Sequence, residues 1–441
     1  TKNRIIIQNK RKLILFFKFL LYTLCKLRRK LYLCTNLENK VEERQEMEEF
    51  FRTHTYLVEH TNATVRRILM DEIDWSDRMI GIKGTRGVGK TTFLLQYAKE
   101  HFHTGDRQCL YVNMNNFYFQ GRSMVDFAGE FYRRGGKVLL VDQVFKRSDW
   151  SQELRRCYDL YPGLKIVFTG SSVMRLKEEN PELNAIVKSY NLRGFSFREF
   201  LNLQTGLSMK PYTLDEILTG HEQIAKMILP KVSPMKYFQD YLHHGFYPFY
   251  QEQRNYSENL LKTMNMMIEV DILLIKQIEL KYLTKIKKLF YQLAVEGTIA
   301  PNVSMLAQEI ETSRATVMNY IKYLADARLI NMIYPEGQSF PKKPTKVMMH
   351  NTNLMYAIYP IKVDKQEVME TFFVNSMWKD HKVNQRLHDN TFVVDGDLKF
   401  KVTDATAVRK TRVSNDTYYI RYNTEIGFGN QIPLWMLGFL Y

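Results

Sequence analysis

The chain has 441 residues, of which 45% are hydrophobic and 25% charged, the composition of a globular protein of roughly three domains. This composition excludes a wholly disordered chain and a collagen-like chain, and four cysteines without a CxxC pair argue against a disulfide scaffold or a structural zinc site. The 63 Lys and Arg against 47 Asp and Glu give a net charge of +16, which permits a polyanionic partner without establishing one.

Residues 1–46 form a basic segment that carries twelve Lys or Arg and four acids, half of the net charge. Its apolar run Leu13–Leu24 is about a dozen residues long and is interrupted by Lys18, whereas a membrane span needs about 20 residues. We therefore expect no integral membrane span. The first methionine is Met47, and we expect residues 1–46 to be an upstream extension of a protein that starts there. A basic helix on a membrane surface is the alternative.

A glycine-rich loop at residues 84–91 is the strongest chemical signal in the sequence. It matches G-x-x-x-x-G-K-[ST], and it lies between an apolar run that predicts a strand and a helical pattern at 92–98. Loop N–H groups and a helix N-terminus would surround phosphates, Lys90 would reach the β- and γ-phosphates, and Thr91 would ligate Mg²⁺. We predict that ATP and Mg²⁺ bind here. The predicted ATP-binding residues are Gly84, Thr85, Arg86, Gly87, Val88, Gly89, Lys90, Thr91 and Thr92.

Further apolar runs predict a parallel sheet that carries this loop. Residues 137–142 predict a strand that ends at Asp142, about 50 residues after the loop, where an Asp holds the Mg²⁺ shell as in a Walker B motif. Residues 109–113 and 165–169 predict two more strands, and a fifth is expected near 190–194. Strands that alternate with helices indicate an α/β fold with helices on both faces, and its ligand belongs at the carboxyl ends of the strands.

Four segments together carry a family resemblance: residues 141–146, 149–154, 166–172 and 194–200. In that order they resemble a large prokaryotic group of AAA-type ATPases that have an N-terminal AAA module and a C-terminal restriction-endonuclease-like module of uncharacterised role. The resemblance covers nearly everything after Met47 and is weaker toward the C-terminus. It implies ATP binding and suggests work linked to DNA.

The resemblance also assigns roles to individual residues. AAA-type ATPases usually have a glutamate after the Walker B Asp to activate the attacking water, and here that position is Gln143. An amide can orient water but cannot take its proton, so we expect ATP to bind and hydrolysis to be slow. Thr169, at the end of its strand, is the expected sensor of the γ-phosphate, with a turn former as the alternative. Asp142, Gln143 and Thr169 are thus the predicted catalytic residues. Arg175, Arg193 and Arg198 are candidates for an arginine finger that contacts the γ-phosphate, in the same or a neighbouring subunit. The alternative for each is an arginine that stabilises neighbouring loops by hydrogen bonds.

The predicted domains follow in chain order. We expect an AAA-type ATPase core at 47–205, a helical lid at 206–284, a winged helix at 285–345 and a small α+β nuclease-like module at 346–441. In the third winged-helix helix, 314–327, Val317, Ile321 and Leu324 line one face. The residues expected to face outward and to contact DNA are Arg314, Thr316, Asn319 and Lys322, with Tyr323 beside them. A protein-contact module is the alternative.

The last module resembles a nuclease that has lost its metal ligands. Relatives carry an Asp and a Glu in these strands, whereas this chain has Thr391 and Lys401 there, and a Lys would repel Mg²⁺. Glu370, Asp389, Asp395 and Asp404 lie nearby in sequence but outside the required pattern. We therefore expect no nuclease activity from this module. The final run 432–441 is apolar but only ten residues long, which suits a packed segment better than a membrane span.

Three functions follow as hypotheses. The first is a cytoplasmic AAA-type ATP-binding protein with slow turnover that acts with or near DNA, and the basic residues outward on 314–327 favour it. The second is a nucleotide-gated protein-interaction module without DNA binding. The third is an ATP-controlled nuclease, against which Lys401 argues. Each of the three hypotheses is compatible with a homo-oligomer.

Overall fold

The computed structural model describes residues 26, 45–62, 64–103, 105–174, 176, 180–252, 255–386, 389–404 and 416–441. Segment 1–46 lies almost wholly outside these residues, so both interpretations of it remain predictions. Within the described ranges, no helix is long and apolar enough to cross a membrane. Two of the cysteines, Cys109 and Cys157, are described, and both are buried free thiols.

A five-stranded parallel sheet forms the centre of the first half of the chain. Its strands are β1 Met79–Gly84, β2 Cys109–Asn113, β3 Val138–Asp142, β4 Lys165–Ser171 and β5 Lys188–Asn191. The spatial order is β2-β3-β4-β1-β5, and every neighbouring pair is parallel. The carboxyl ends of all five strands therefore lie along one edge. This confirms the predicted α/β fold. Strand β5 starts at Lys188 and ends at Asn191, so it overlaps only the first residues of the range near 190–194 expected for the fifth strand.

Helices cover both faces of this sheet. They are α1 at residues 45–59, α2 Leu69–Glu72, α3 Lys90–His101, α4 Tyr118–Gly121, α5 Met124–Arg133, α6 Trp150–Leu160 and α7 Phe197–Thr205. Along β1, Ile80 and Ile82 pack in the core that contains α3, whereas Met79 packs in the core that contains α5 and α6. The alternation follows from the two-residue period of a strand, so each face of the sheet is apolar and covered.

The helices after α7 do not form one packing unit. They are α8 Leu214–Ile228, α9 Pro234–Asp240, α10 Tyr256–Met266 and α11 Leu273–Lys276, with π-helical turns at Tyr241–Gly245 and Met267–Ile272. Ile217 of α8 and Phe238 of α9 belong to the core of the C-terminal strands, whereas Leu260 of α10 and Ile268 belong to the core around α3. The single lid predicted at 206–284 is therefore divided between two cores.

Three helices and a two-stranded sheet follow. The elements are α12 Leu283–Glu296, α13 Val303–Glu309, α14 Arg314–Asp326, β6 Ile330–Ile333 and β7 Lys346–Met349. Val317, Ile321 and Leu324 of α14 are fully buried, as the amphipathic pattern predicts. Because β6 and β7 pair antiparallel, the predicted domain boundary at 345/346 separates two strands that share a sheet. The packing unit extends to Met349.

The C-terminal part is a second five-stranded sheet with helices against it. Its elements are α15 Thr352–Ile358, α16 Lys365–Met377, β8 Val383–Gln385, β9 Phe392–Val394, β10 Leu398–Thr403, β11 Thr417–Arg421 and β12 Gln431–Pro433. The order is β12-β11-β10-β9-β8, antiparallel from β8 to β10 and parallel from β10 to β12. Trp435 and Phe439 of the closing apolar run are fully buried, so this run is packed as predicted.

Short 3₁₀ turns complete the secondary structure. They lie at Val144–Lys146, Pro181–Leu183, Pro248–Glu252, Leu280–Tyr282, Pro360–Lys362 and Leu434–Phe439. The turn at Pro248–Glu252 matters most for function, because Pro248 and Phe249 approach the glycine-rich loop that follows β1.

Candidate nucleotide-binding site

The loop between β1 and α3 has the backbone that its glycines permit. Gly87 and Gly89 have φ angles of 79° and 90°, in the left-handed region that favours glycine. A Cβ atom added to Gly87 would lie 2.8 Å from the Phe249 ring, so the glycine also allows this close approach. Helix α3 begins at Lys90 and directs its N-terminal N–H groups at the loop, which is the geometry that binds phosphate.

Asp142 is the centre of a hydrogen-bond network at the end of β3. Thr91 Oγ1 and the Tyr111 hydroxyl donate to Asp142 Oδ2 at 2.7 and 2.9 Å. Thr169 Oγ1 donates to the other carboxylate oxygen, Oδ1. Asp142 is 1% exposed, so these donors stabilise a buried carboxylate. The two predicted Mg²⁺ ligands, Thr91 and Asp142, are therefore in direct contact.

A hydroxyl and a carboxylate oxygen are ligands that Mg²⁺ prefers, and Mg²⁺ usually completes its shell with water and substrate phosphates. The pair Thr91 and Asp142 beside a phosphate-binding loop fits that chemistry. Among the described residues, no group of three or more His, Cys, Asp and Glu is arranged to hold a metal.

Tyr111 is a site residue that sequence reasoning missed. It lies in β2, next to β3, and its hydroxyl is bonded to Asp142. Burial and the neighbouring carboxylate of Asp142 raise the pKa of Tyr111, so the phenol stays protonated and donates. From the sequence alone, a tyrosine in a buried strand is expected to pack in the hydrophobic core. Only the pairing of β2 with β3 shows that Tyr111 also donates a hydrogen bond to Asp142.

Lys90 lies against its own loop. Its Nζ donates to the carbonyl oxygens of Gly84 at 2.8 Å and Thr85 at 2.7 Å. Burial lowers the pKa of Lys90 to about 8, although the negative charges of Asp142 and Asp271 oppose the shift. An ammonium group in this environment gains most from an anion that replaces lost solvation, which suits the predicted contact with phosphate.

Arg86 of the loop is paired with a distant acid that the sequence did not single out. Arg86 Nε and Nη2 donate to Asp271 Oδ1 at 3.0 and 2.7 Å, and Ser171 Oγ donates to Asp271 Oδ2 at 3.1 Å. Asp271 is 2% exposed and lies in the π-helical turn Met267–Ile272. This contact joins the glycine-rich loop and the end of β4 to the helices that follow.

Gln143 and Thr169 are placed differently from each other. Gln143 has a left-handed backbone with φ of 59°, is half-buried and lines the cleft. Thr169 is fully buried behind Asp142, and its Oγ1 accepts a hydrogen bond from the Gln143 backbone N–H at 3.0 Å. Its expected contact with the γ-phosphate is therefore not supported. Ser171, two residues further along β4, is the polar residue of that strand that lines the cleft.

The cleft around these residues has a volume of about 510 Å³. This lies within the roughly 300–1,000 Å³ typical of small-molecule sites. Its lining combines Lys90 and Asp142 of the phosphate site with the apolar side chains of Val65, Phe195 and Phe249. Apolar side chains beside a phosphate loop are suited to a nucleotide base.

The predicted arginine-finger candidates do not line this cleft. Arg193 Nη2 donates to the Asn375 carbonyl at 2.6 Å. Arg198 donates to the carbonyl oxygens of Tyr441 and Met209, both at 3.0 Å. Both arginines therefore connect the ATPase half to other segments of the chain. Arg175 lies outside the described residues.

The four acids of the predicted nuclease-like module do not converge. Glu370 pairs with Lys346 at 2.7 Å, Asp395 with His381 at 2.6 Å and Asp404 with Lys365 at 2.8 Å, while Asp389 accepts a hydrogen bond from the Thr391 N–H. Lys401 is exposed on β10, and residues 405–415 between β10 and β11 lie outside the described parts. The interpretation of this module stays a prediction.

The residues predicted to contact DNA are partly engaged within the protein. Arg314 and Asn319 are exposed on α14. Thr316 is half-buried, and its N–H donates to the N-cap hydroxyl of Ser313. Lys322 is ion-paired with Asp326 at 2.5 Å. Of the four, Arg314 and Asn319 are the ones that α14 presents to solvent.

Comparison with known proteins agrees with the sheet and its loop. Residues 76–201 match a family described as an AAA domain, and residues 235–365 match a domain of unknown function, DUF8612. The uncharacterized protein MJ1637 of Methanocaldococcus jannaschii is 27% identical over 281 residues, which make up 61% of this chain and 59% of that protein. The chain thus matches less than two thirds of this relative.

Three solved structures are similar to parts of the chain. The Aeropyrum pernix ORC1 protein in complex with DNA is 12% identical with a TM-score of 0.28, over 65% of this chain and 87% of its own. Thermotoga maritima RuvB is 15% identical with a TM-score of 0.27, over 65% and 88%. C. elegans PCH-2 is 17% identical with a TM-score of 0.22, over 36% and 44%. The family match and the parallel sheet together support a nucleotide-binding ATPase domain of AAA type at residues 76–201.

Proposed function

We propose that this protein binds ATP with Mg²⁺ at the 84–91 loop and hydrolyses it slowly, as an AAA-type ATPase that acts with or near DNA. The observation that carries the proposal is the hydrogen bond of 2.7 Å between Thr91 and Asp142, beside a phosphate-binding loop and inside a cleft of about 510 Å³. A bare glycine turn would not need a buried carboxylate aligned with the helix N-terminus.

Each residue of the site has a separate task in this proposal. The N-terminus of α3 and the loop N–H groups bind the phosphates, and Lys90 leaves its carbonyl partners to contact them. Thr91 and Asp142 would hold Mg²⁺, which when bound neutralises phosphate charge. Arg86 lies at the same end of the cleft, where Asp271 holds its guanidinium.

Slow turnover follows from Gln143. Its side chain lines the cleft next to Asp142, so it can hydrogen-bond a water molecule near the terminal phosphate. It cannot accept the proton of that water, and a positioned base contributes about 10²–10⁴-fold to a rate. Binding would be little affected, so ATP would stay bound for longer than with a glutamate in this position.

Two substitutions test the proposal together. Lys90→Ala should weaken ATP binding severely, because it removes the phosphate contact from the loop. Gln143→Glu should raise ATP turnover at least tenfold without tightening ATP binding, and Gln120→Glu on the exposed surface is the matched control. Unchanged ATP affinity in Lys90→Ala would refute the site. Brisk turnover in the wild type that ignores Gln143→Glu would refute the role of Gln143.

The DNA part of the proposal rests on α12–α14 and the β6–β7 sheet, which we interpret as a winged helix. Arg314 and Asn319 are exposed on the third helix. Lys288 of α12 is exposed and Lys285 is half-buried, and they donate to the Glu309 and Glu311 carbonyl oxygens that precede this helix. We interpret Lys285, Lys288 and Arg314 as one basic surface suited to a phosphate backbone. Lys322 is less suited, because Asp326 neutralises it.

A further inference from the structure

A second cavity, of about 240 Å³, lies where four parts of the chain meet. We call it the Arg328 pocket. Its walls come from Gly84 and Thr85 of the loop, from residues 189–194 after and within β5, from Arg328 after α14, and from residues 378–380 after α16. Most of these groups are polar or charged, so the pocket is suited to a hydrophilic ligand rather than to an apolar one.

Arg328 enters this pocket without an acidic partner. It has a left-handed backbone with φ of 61° and is partly buried, and among the described residues no carboxylate forms an ion pair with it. Burial lowers the pKa of Arg328 to about 10, and repulsion by Arg193 acts in the same direction. The acid that acts on it, Asp326, is ion-paired with Lys322 at 2.5 Å.

Arg193 lines the same pocket and is also incompletely satisfied. Its Nη2 donates to the Asn375 carbonyl, but its Nε is buried and has no hydrogen-bond partner. Burial and repulsion by Arg328 and Arg193 lower the pKa of the neighbouring His350, so this imidazole is neutral. Its Nδ1 is 2.8 Å from Asn331 Oδ1. The pocket therefore contains two guanidinium groups within electrostatic range of each other.

Both acids of the pocket are paired with another cation, not with the arginines. Glu72 and Asp380 both bind Lys379 Nζ, at 2.5 and 3.1 Å. Two carboxylates and one ammonium sum to a charge of −1, so with the guanidinium groups of Arg193 and Arg328 the pocket carries a net charge of +1. Within the described part of the chain neither arginine has an ion-pair partner of its own, and a partly buried cation without a partner is costly. An anion in the pocket would remove this cost.

We propose that the Arg328 pocket binds a phosphate group, held by the guanidinium groups of Arg328 and Arg193. Ser172, Ser189 and Asn191 also line the pocket and supply hydroxyl and amide donors for the remaining oxygens. Arginine matches phosphate because its planar fork donates two parallel hydrogen bonds. The volume is less than half that of the 510 Å³ cleft, so the ligand is inorganic phosphate or a small phosphate monoester rather than a nucleotide.

Phosphate binding to the full chain with Lys90→Ala tests this proposal, because that substitution weakens the phosphate site of the 84–91 loop. Isothermal titration with inorganic phosphate should show one site. Adding Arg328→Gln should lower the affinity at least tenfold, and Arg328→Lys should lower it less. A parallel titration with glycerol 3-phosphate distinguishes the sources: tighter binding than inorganic phosphate indicates a monoester, and weaker binding indicates the free ion.

Arg107→Gln is the matched control, since Arg107 is an exposed arginine paired with Glu48 far from the pocket in sequence. Thermal unfolding in phosphate-free buffer is the second measurement. Because no carboxylate of the described residues forms an ion pair with Arg328, we expect Arg328→Gln to leave the midpoint of thermal unfolding unchanged or to raise it. We also expect added phosphate to raise the midpoint of the Lys90→Ala protein, and to have no effect once Arg328 is replaced as well.

Three results would each overturn the proposal. The first is that the Lys90→Ala protein binds no phosphate, and the second is that Arg107→Gln lowers its phosphate affinity as much as Arg328→Gln does. The third is a lower midpoint of thermal unfolding for Arg328→Gln.

Discussion

Lys90 has a pKa of about 8 because it is buried, and this gives ATP binding a pH dependence. Bound phosphate favours the charged ammonium and should return its pKa toward the ordinary value of about 10.4. Above about pH 8, Lys90 is mostly neutral in the free protein, so ATP binding must be accompanied by the uptake of a proton. We expect ATP affinity to fall about twentyfold between pH 7.5 and 9.5, measured by isothermal titration.

Lys90→Arg is the control for this prediction, because a guanidinium stays charged throughout that pH range. Its ATP affinity should be weaker but should not vary with pH. An equal slope in wild type and Lys90→Arg would assign the pH dependence to another group.

At the residue scale, sequence reasoning found the groups whose partners are close along the chain or recur in a motif. Lys90 and Thr91 follow from the loop pattern, and Asp142 follows from an apolar strand that ends in an acid. Tyr111 and Asp271 could not be found in this way. Tyr111 depends on which strand lies beside β3, and Asp271 reaches Arg86 across 185 residues of sequence.

At the element scale, Arg67 connects the loop before α3 to the segment after β5 and to α7. Its Nη1 donates to the Val88 carbonyl at 3.1 Å, and its Nη2 to the carbonyl oxygens of Arg193 and Gly194 at 2.6 and 3.0 Å. Its Nε donates to Glu199, which is fully buried and completes the capping box of α7. One guanidinium thus satisfies buried acceptors from three elements.

We expect Arg67→Met to lower the free energy of unfolding by about 3–5 kcal/mol, because it leaves Glu199 buried without its main partner. Urea denaturation measures this. The neighbouring Arg66 is 46% exposed in its side chain and pairs with Asp71 and Glu100, so Arg66→Met should cost less than about 1 kcal/mol. Similar losses in the two variants would show that the Arg67 network adds no more than a surface pair.

The elements themselves were largely predictable where a strand is apolar along its whole length or a helix has one apolar face. The strands β2 and β3 and the helix α14 occur close to their predicted bounds. The predicted lid stays a prediction, because an amphipathic helix shows which face it buries and not what it is buried against. Thus α8 and α10 have similar patterns but pack in different cores.

At the scale of the whole molecule, the turn Met267–Ile272 lies between the nucleotide site and the predicted DNA-contacting helices. Asp271 binds Arg86 and Ser171 on one side, while Met267, Ile268 and Ile272 pack in the core that contains α12 and α14. A ligand that changes the partner of Arg86 would therefore act on this core through one buried ion pair. This arrangement motivates measuring DNA affinity with and without ATP.

We expect duplex DNA to bind through the basic surface of Lys285, Lys288 and Arg314. Each phosphate contact contributes about 0.9 to the slope of log K against log salt concentration, so replacing all three by alanine should reduce that slope by about 2–3. Affinity should fall by a similar factor for unrelated sequences, since phosphates carry no base identity.

The control for this experiment removes the same charge from the ATPase half, by replacing Arg52, Arg107 and Arg155 with alanine, all of them exposed. If the +16 net charge of the chain attracted DNA without a defined surface, both triple variants would lose affinity equally. A larger loss for the α12–α14 variant, at equal net charge, would locate the contact on that surface. Equal losses, or none, would instead favour protein contact for these helices.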